Sequence, residues 1–475
     1  MNSITDLLDL EDNDVTITDI TVEGATKLIT LETSAKQSFC PLCGFRMHSR
    51  GIRTRKVLHP ILQDGYSLIL LLKQRRWRCI NNDCRFETNE NFKFVDKNRR
   101  QSNATDMLIV HAFRDLNETS ASIAKRFNTS DTHVNEIFDR YVKLDRLELT
   151  DIISIDEVHT EIESDCKYAL VIQDFHTGDP IDILKSRKSS ITEPYFSNIP
   201  IEERKRVKYL ISDMYNPYIR FVDKYFPNAV SVVDSFHVIQ WMNNGIDKYF
   251  RQLLKKYRDR DRERFLSSLQ SDTVIPDRIY PPLSDEVYLL SKYRFLVLSN
   301  QANITYHSDT RYDKHFHRLM NTYDYEDALF KIDPHLRSLR DLKELYIQFN
   351  THYAGDVLNA GTELDKLIKL YGSCEEKIFR DFSHTLKNFR DPILNSFVMA
   401  QKNGPCGLYD SRLSNGPIES LNRKVKDLKR AGRGYKNFEH FRNRFLYATR
   451  NRPVLNGTDS SIQIHNYEDD DEYID

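Results

Sequence analysis

The sequence predicts an α+β multidomain fold: an N-terminal cysteine-bearing module, a short all-helical segment, and a mixed α/β domain interrupted by a large helical insertion. Three observations predict it. Two close cysteine pairs, Cys40 with Cys43 and Cys79 with Cys84, lie early in the chain; short apolar runs alternate with helix-period segments over 151–240; and from about 238 to 405 only long, charged, helix-period segments occur. A chain of 475 residues with 40% hydrophobic content has material for several real cores. The boundaries read as 1–98, 99–148, 149–240, 241–405, 406–452 and an acidic tail, expected to be mobile, over 453–475.

The first residues are acidic where a secretory leader would be basic and then apolar, and no run reaches about 18 apolar residues. These features predict a cytoplasmic protein with no membrane partner. Weak alternation up to about residue 36 then predicts a small hairpin.

Seven cysteines, an odd number, argue against a disulfide framework and direct attention to metal binding by those paired in sequence. Each pair fits one tight turn, so Cys40, Cys43, Cys79 and Cys84 can supply four thiolates to a tetrahedral structural zinc, with His48 and His59 as possible substitute ligands. The net charge of −1 conceals an uneven distribution. Between Arg46 and Arg85 stand ten Lys or Arg against Asp64 and Asp83. Arg46, Arg50, Arg53, Arg55, Arg75, Arg76 and Arg78 therefore predict a phosphate-facing surface, set against the plainer reading of a solvated charged face.

From about 104 to 145 the spacing predicts three short helices. Ile123, Ala124 and Phe127 make one apolar face, and Val134, Ile137, Phe138 and Tyr141 another, with Thr129 or Ser130 able to cap the last helix. This fits a helix-turn-helix, although the turn lacks the glycine often found there.

Over 151–240 the order is three strands, helix, strand, helix, strand, which is that of an RNase H-like mixed sheet. Asp156 ends the first strand and Asp213 the fourth, which lie side by side in this topology. Glu419 follows Gly416 and Pro417 in the first turn of a helix that continues with Asn422, Arg423, Lys426 and Lys429, a composition suited to phosphates. If the three acids converge they form a divalent-cation site. Each also has an ordinary reading, as a strand-end aspartate or a dipole-pairing glutamate. Asp234, at the end of the fifth strand and farther from Asp156, is the rival for the middle position; Asp234 and His237 are read as groups that orient DNA, support the site or tie the fifth strand to the insertion. Glu157 points to the opposite face from Asp156 and is not read as a ligand.

These residues resemble the ISL-three family of bacterial insertion-sequence transposases. The likeness rests on the knuckles at 40–44 and 79–84, the approach at 75–79, the motif at 155–158, and the long blocks at 225–239, 414–430 and 434–438; the loop at 430–435 departs slightly. The resemblance implies an RNase H-like catalytic domain with a DDE triad on Asp156, Glu419 and one of Asp213 or Asp234. It also implies Mg2+ or Mn2+ at the acids, as two ions roughly 4 Å apart, and no covalent protein intermediate. The implied partners are double-stranded DNA, as terminal inverted repeats and target, and a second copy in a homodimeric synaptic complex in the bacterial cytoplasm at the nucleoid. Two alternatives stand beside it: a non-catalytic zinc-containing DNA-binding regulator derived from a transposase, and an RNase H-like structure-specific nuclease.

Overall fold

The computed structural model describes residues 14–34, 38–60, 67–162, 166–268 and 281–453, together with residues 8, 10 and 12. The acidic tail beyond 453 lies outside them. The chain divides into two units, one formed by 1–146 and 424–475 and the other by 147–423. Among the described residues no helix is long and apolar enough to cross a membrane.

In the first unit, strands β1 (Val15–Glu23), β2 (Thr26–Thr33), β3 (Ser38–Phe39), β4 (Arg46–His59), β5 (Ser67–Cys79) and β6 (Glu87–Asn89) form one sheet in the order β1-β2-β5-β4-β3, with β6 also on β5. The first two make the expected hairpin. In β5 every second residue turns inward, so Leu68, Leu70 and Leu72 meet Ile29, Leu31, Val57 and the aromatic pair Phe92 and Phe94. The partner stretch of β4 differs: residues 48–54 are all exposed. The pairing register shifts there, next to Gly51 with its φ of 110°, as a bulge requires.

Three short helices follow, α1 (Asn103–Ala112), α2 (Ser120–Arg126) and α3 (Asp131–Tyr141). Thr119 and Ser130 accept the orphan N–H groups that open α2 and α3. The link between those helices turns at Asn128, whose φ is 50°. Asparagine takes here the left-handed position that glycine holds in other such turns. The last helix among the described residues, at 438–449, packs in this unit. Its Arg444, almost wholly buried, donates to the carbonyls of Phe113, Asp115 and Glu118, and its Tyr447 ring meets Phe138 edge-on. Helical periodicity defines such a face but not what covers it.

The second unit holds a five-stranded sheet of β7 (Ile152–His159), β8 (Tyr168–Asp174), β9 (Pro180–Leu184), β10 (Tyr209–Ser212) and β11 (Val230–Val233), ordered β11-β10-β7-β8-β9. β7, β10 and β11 run parallel, while β8 and β9 pair antiparallel. The connecting helices are α4 (Ser189–Ser197), α5 (Ile201–Arg204) and α6 (Asn216–Tyr225); the single polar helix expected near 191–206 is broken before Pro200. One sheet face buries Ile153, Ile155, Leu170, Ile172 and Leu210 against Phe196, Tyr218 and Phe226.

A 34-residue helix, α7 (Ser235–Ser268), leaves directly after β11. It shares one apolar core with α8 (Asp285–Lys292), α9 (Phe295–Leu298), α10 (Thr322–Ile332), α11 (His335–His352), α12 (Val357–Ser373), α13 (Lys377–Asn388) and α14 (Arg390–Asn395). Two antiparallel hairpins interrupt what the sequence predicts as wholly helical: β12 (Arg311–Asp313) with β13 (Arg318–Met320), and β14 (Met399–Gly404) with β15 (Gly407–Arg412). The three-residue strands of the first are too short to display a two-residue period, and those of the second, six residues each, carry mostly polar or small side chains with no apolar alternation. After β15 the chain starts α15 (Gly416–Ala431), and α16 (Phe438–Thr449) is the final helix already described.

Candidate active site and metal centres

In the parallel part of the second sheet, Tyr209 pairs with Ile152 on one side and with Val230 on the other. Counting along the same register brings Asp156, Asp213 and Asp234 level, just past the carboxyl ends of the parallel pairing. Asp213 and Asp234 follow β10 and β11 directly, whereas β7 continues to His159, so Asp156 lies inside its strand and does not end it as the sequence suggests. Ligand sites in open α/β sheets form outside these ends. Asp234, His237 and Glu419 carry ligand atoms that all lie within 4.8 Å of one another. Asp234 closes β11, His237 stands in the first turn of α7, and Glu419 stands in the first turn of α15. Local chemistry fixes each: the His237 N–H bonds the Asp234 carbonyl at 3.1 Å, and the Glu419 N–H bonds the Asn415 carbonyl at 3.1 Å.

Asp156 and Asp213 adjoin this group. Asp213 Oδ1 lies 2.6 Å from His237 Nε2. Burial, reinforced by the Asp213 charge, pushes the Asp156 carboxyl up to about 7. Burial likewise raises Asp234, with the charges of Glu419 and Asp213 adding to it against the opposing pull of His237 and the Asn415 N–H. Burial by itself would lower His237, but Asp213, then Asp234 and Asp156, raise it overall. Four carboxylates thus face one imidazole, an imbalance that a dication offsets.

The carboxylate oxygens fit Mg2+ or Mn2+, and the His237 imidazole is the one softer donor beside them. Asn415 and Asn422 are both buried, and the Oδ1 of each has no hydrogen-bond partner. Two spare acceptors beside the acids suit a cation that keeps part of its water.

The basic neighbours of Asn422 in sequence place it among the phosphate-facing groups, but its Nδ2 donates to Asp156 Oδ2 at 2.6 Å and holds that carboxylate. Arg423 and Lys426 are exposed and Lys429 is half-buried. Glu157 bonds the Tyr218 hydroxyl and pairs with Arg187, away from the ligand group. Sequence reasoning misses Asn415. It stands just before Gly416 and Pro417, where an asparagine reads as an ordinary helix boundary, although its side chain donates to the Ile155 carbonyl and to Asp213 at 3.5 Å each.

The cysteines form the second centre. Cys40, Cys43, Cys79 and Cys84 converge, with Sγ separations of 3.7 Å for Cys40 to Cys84 and 3.4 Å for Cys43 to Cys79. A tetrahedron of thiolates around zinc has edges of about 3.8 Å, from a Zn–S bond of about 2.3 Å. The residue after each pair, Gly44 and Arg85, has positive φ (71° and 48°), which turns the chain so that both sulfurs point inward. Burial raises the Cys40 thiol, but the N–H groups of Leu42 and Cys43 overcome it and lower the pKa to about 7; burial and the neighbouring sulfurs push Cys79 up to about 12. His59 bonds Ser102 and the Leu8 carbonyl, and His48 is outside the cluster, so neither substitutes as a ligand.

The arginines of the basic module divide. Arg50, Arg76 and Arg78 surround Glu87, Arg75 pairs with Glu32, and Arg55 bonds the carbonyls of Asp96 and Arg99. Arg46 and Arg53 are exposed and have no ion-pair partner among the described residues.

The mixed α/β structure thus carries a four-cysteine cluster and a gathering of carboxylates, and its similarity to known proteins places these centres in a DNA-processing enzyme. Residues 153–445 match the model of the ISL3, or ISL-three, family of DDE transposases, described as transposase, and the chain belongs to that family. A curated relative, the transposase for insertion sequence element IS1001 of Bordetella parapertussis, is 23% identical over 432 residues, spanning 88% of this chain and 90% of the relative.

Proposed function

We propose that this transposase cuts and joins the ends of an insertion sequence at Asp156, Asp234 and Glu419, on an RNase H-like sheet. The single observation that carries the reading is the convergence of Asp234, His237 and Glu419 within 4.8 Å beside the half-buried, charge-crowded Asp156. It favours Asp234 over Asp213 as the middle acid. Asp213 has His237 as its partner at 2.6 Å, so it orients and charges that imidazole.

Asp156, Asp234 and Glu419 would hold Mg2+ or Mn2+, with His237 beside them. When bound, the cation activates water or a 3′-hydroxyl and steadies the leaving oxygen at the phosphodiester. Asn422 holds the Asp156 carboxylate in place, and Asn415 positions the chain between Asp213 and the sheet. The cysteine cluster would hold one structural zinc. The helices at 120–126 and 131–141 would act as a helix-turn-helix on the terminal repeats, with Arg46 and Arg53 among the phosphate contacts and the active assembly a dimer on two ends.

The test is Asp156→Ala in purified protein supplied with Mg2+ and DNA carrying the element's ends. End cleavage and strand transfer fall by at least about a thousandfold, while end binding in a gel shift stays. Cleavage by that variant at the wild-type rate contradicts the assignment.

A further inference from the structure

We propose that the hairpin of β12 and β13, in the helical insertion, is a second DNA contact that wedges an apolar pair against an unstacked base. This inference rests on the chain's action on DNA, but not on which acids do the chemistry. Tyr312 and Leu319 are directly paired across the hairpin and are 60% and 62% exposed. Around them stand Arg311, Lys314, His317 and Arg318, all exposed. Arg311, Lys314 and Arg318 have no ion-pair partner among the described residues, whereas most arginines of the insertion's helices, such as Arg260, Arg340 and Arg390, are paired with acids. Lys314 and His317 flank the apolar pair, the His317 ring reaching the Tyr312 hydroxyl at 3.5 Å, while Arg311 and Arg318 alternate onto the other face of the strands and line its edges. An exposed apolar pair on a hairpin edged by unpaired cations is complementary to DNA, whose phosphates take the cations while a base step takes the pair. The acidic Asp309 lies just outside the hairpin and faces solvent.

The hairpin is held rigidly, as a wedge must be. Buried Asp313 accepts the hydroxyls of Tyr288 and Tyr325, each at 2.7 Å, and the N–H groups of His315 and Phe316 at 2.8 and 3.0 Å. His315 stacks on Tyr288 at 4.3 Å and pairs with Asp285 at 2.8 Å. Met320 is buried at the far strand. Asp313 and Met320 anchor one face of the hairpin, and its exposed positions are apolar, cationic or histidine. A cavity of about 510 Å³ opens at the hairpin's root, lined by Phe295, Asn300, Asn303, His307 and Thr322 among others, with the His307 N–H bonded to the Thr322 hydroxyl at 3.2 Å. Phe295, Leu298 and Ile304 beside two amides suit a displaced base, which carries donors and acceptors on its edge and an apolar face.

The experiment is fluorescence anisotropy of the full-length protein with two labelled probes, a blunt duplex and the same duplex bearing a short 3′ overhang. Wild type binds the overhang probe more tightly. The double variant Tyr312→Ala, Leu319→Ala binds the overhang probe about tenfold more weakly and the blunt one nearly as before, the effect of removing one base-stacking surface. The triple variant Arg311→Gln, Lys314→Gln, Arg318→Gln weakens both probes and lowers the salt slope by about one for each phosphate no longer neutralised. Thermal melting checks that both variants remain folded. Folded variants that bind both probes as wild type does overturn the proposal. A loss confined to the charge variant, equal on both probes, overturns the wedge. The same titration with Asp156→Ala separates the two readings: a hairpin effect in a protein whose Asp156→Ala variant still cleaves DNA leaves the wedge standing and removes the catalytic assignment.

Discussion

The cysteine cluster and the carboxylate cluster both gather metal-capable side chains, but they are built in opposite ways. Four like ligands from two tight turns close around the first centre, and Cys40 and Cys79 are buried. The second joins unlike ligands from strand ends and helix starts, and its charges are left unbalanced within the protein. A closed set of identical soft donors serves structure, while an open set of hard donors leaves room for substrate. Two local turns and one strand pairing, β4 on β5, make the first; the second draws on three strands and two helix starts of the other sheet.

The comparison is broken most sharply at the middle acid. Asp234→Ala should reduce end cleavage by at least about a thousandfold, whereas Asp213→Ala should leave a measurable rate because His237 and the remaining acids persist. Equal loss in both, measured as single-turnover cleavage in Mg2+, would place the two aspartates in one ligand set. Next in size is the cysteine cluster. The double variant Cys40→Ser, Cys79→Ser should lose about one equivalent of zinc and on the order of several kcal/mol of stability, read by metal analysis and thermal melting. Metal retained in that variant would refute the site. The smallest effect is expected at Asn422→Ala, which leaves the ligands intact but frees Asp156. Activity should fall about 10- to 100-fold, with partial recovery in higher Mg2+; unchanged activity would show that the Asp156 carboxylate needs no holder.

The two clusters are also unequally legible in the sequence. Four cysteines in two close pairs announce themselves, because thiolate spacing within a turn is a local property. The strand order that levels Asp156 with Asp213 is readable from the alternation of apolar runs. Strand order alone sets Asp234 farther away, because it counts strands and says nothing of where the chain after β11 turns back toward its neighbours. His237 approaches Asp213 only because α7 starts at once after β11, a junction that periodicity does not orient. Asn422 takes its sequence reading from its basic neighbours, yet it is buried against Asp156 while Arg423 and Lys426 are exposed, because composition does not say which turn of a helix meets the acids. The hairpin at 311–320 escapes for a similar reason: its strands are three residues each, below the length at which alternation can be seen.

The 34-residue helix α7 acts as a lever with a very short inner arm. At about 1.5 Å per residue its tip lies about 50 Å from the start, whereas His237 is only about 4 Å along it. If the helix pivots at its root, a swing of about 5 Å at the tip shifts His237 by less than about half an ångström, within the tolerance of a catalytic constellation. Displacements far out on the helix would therefore be geared down at the carboxylates.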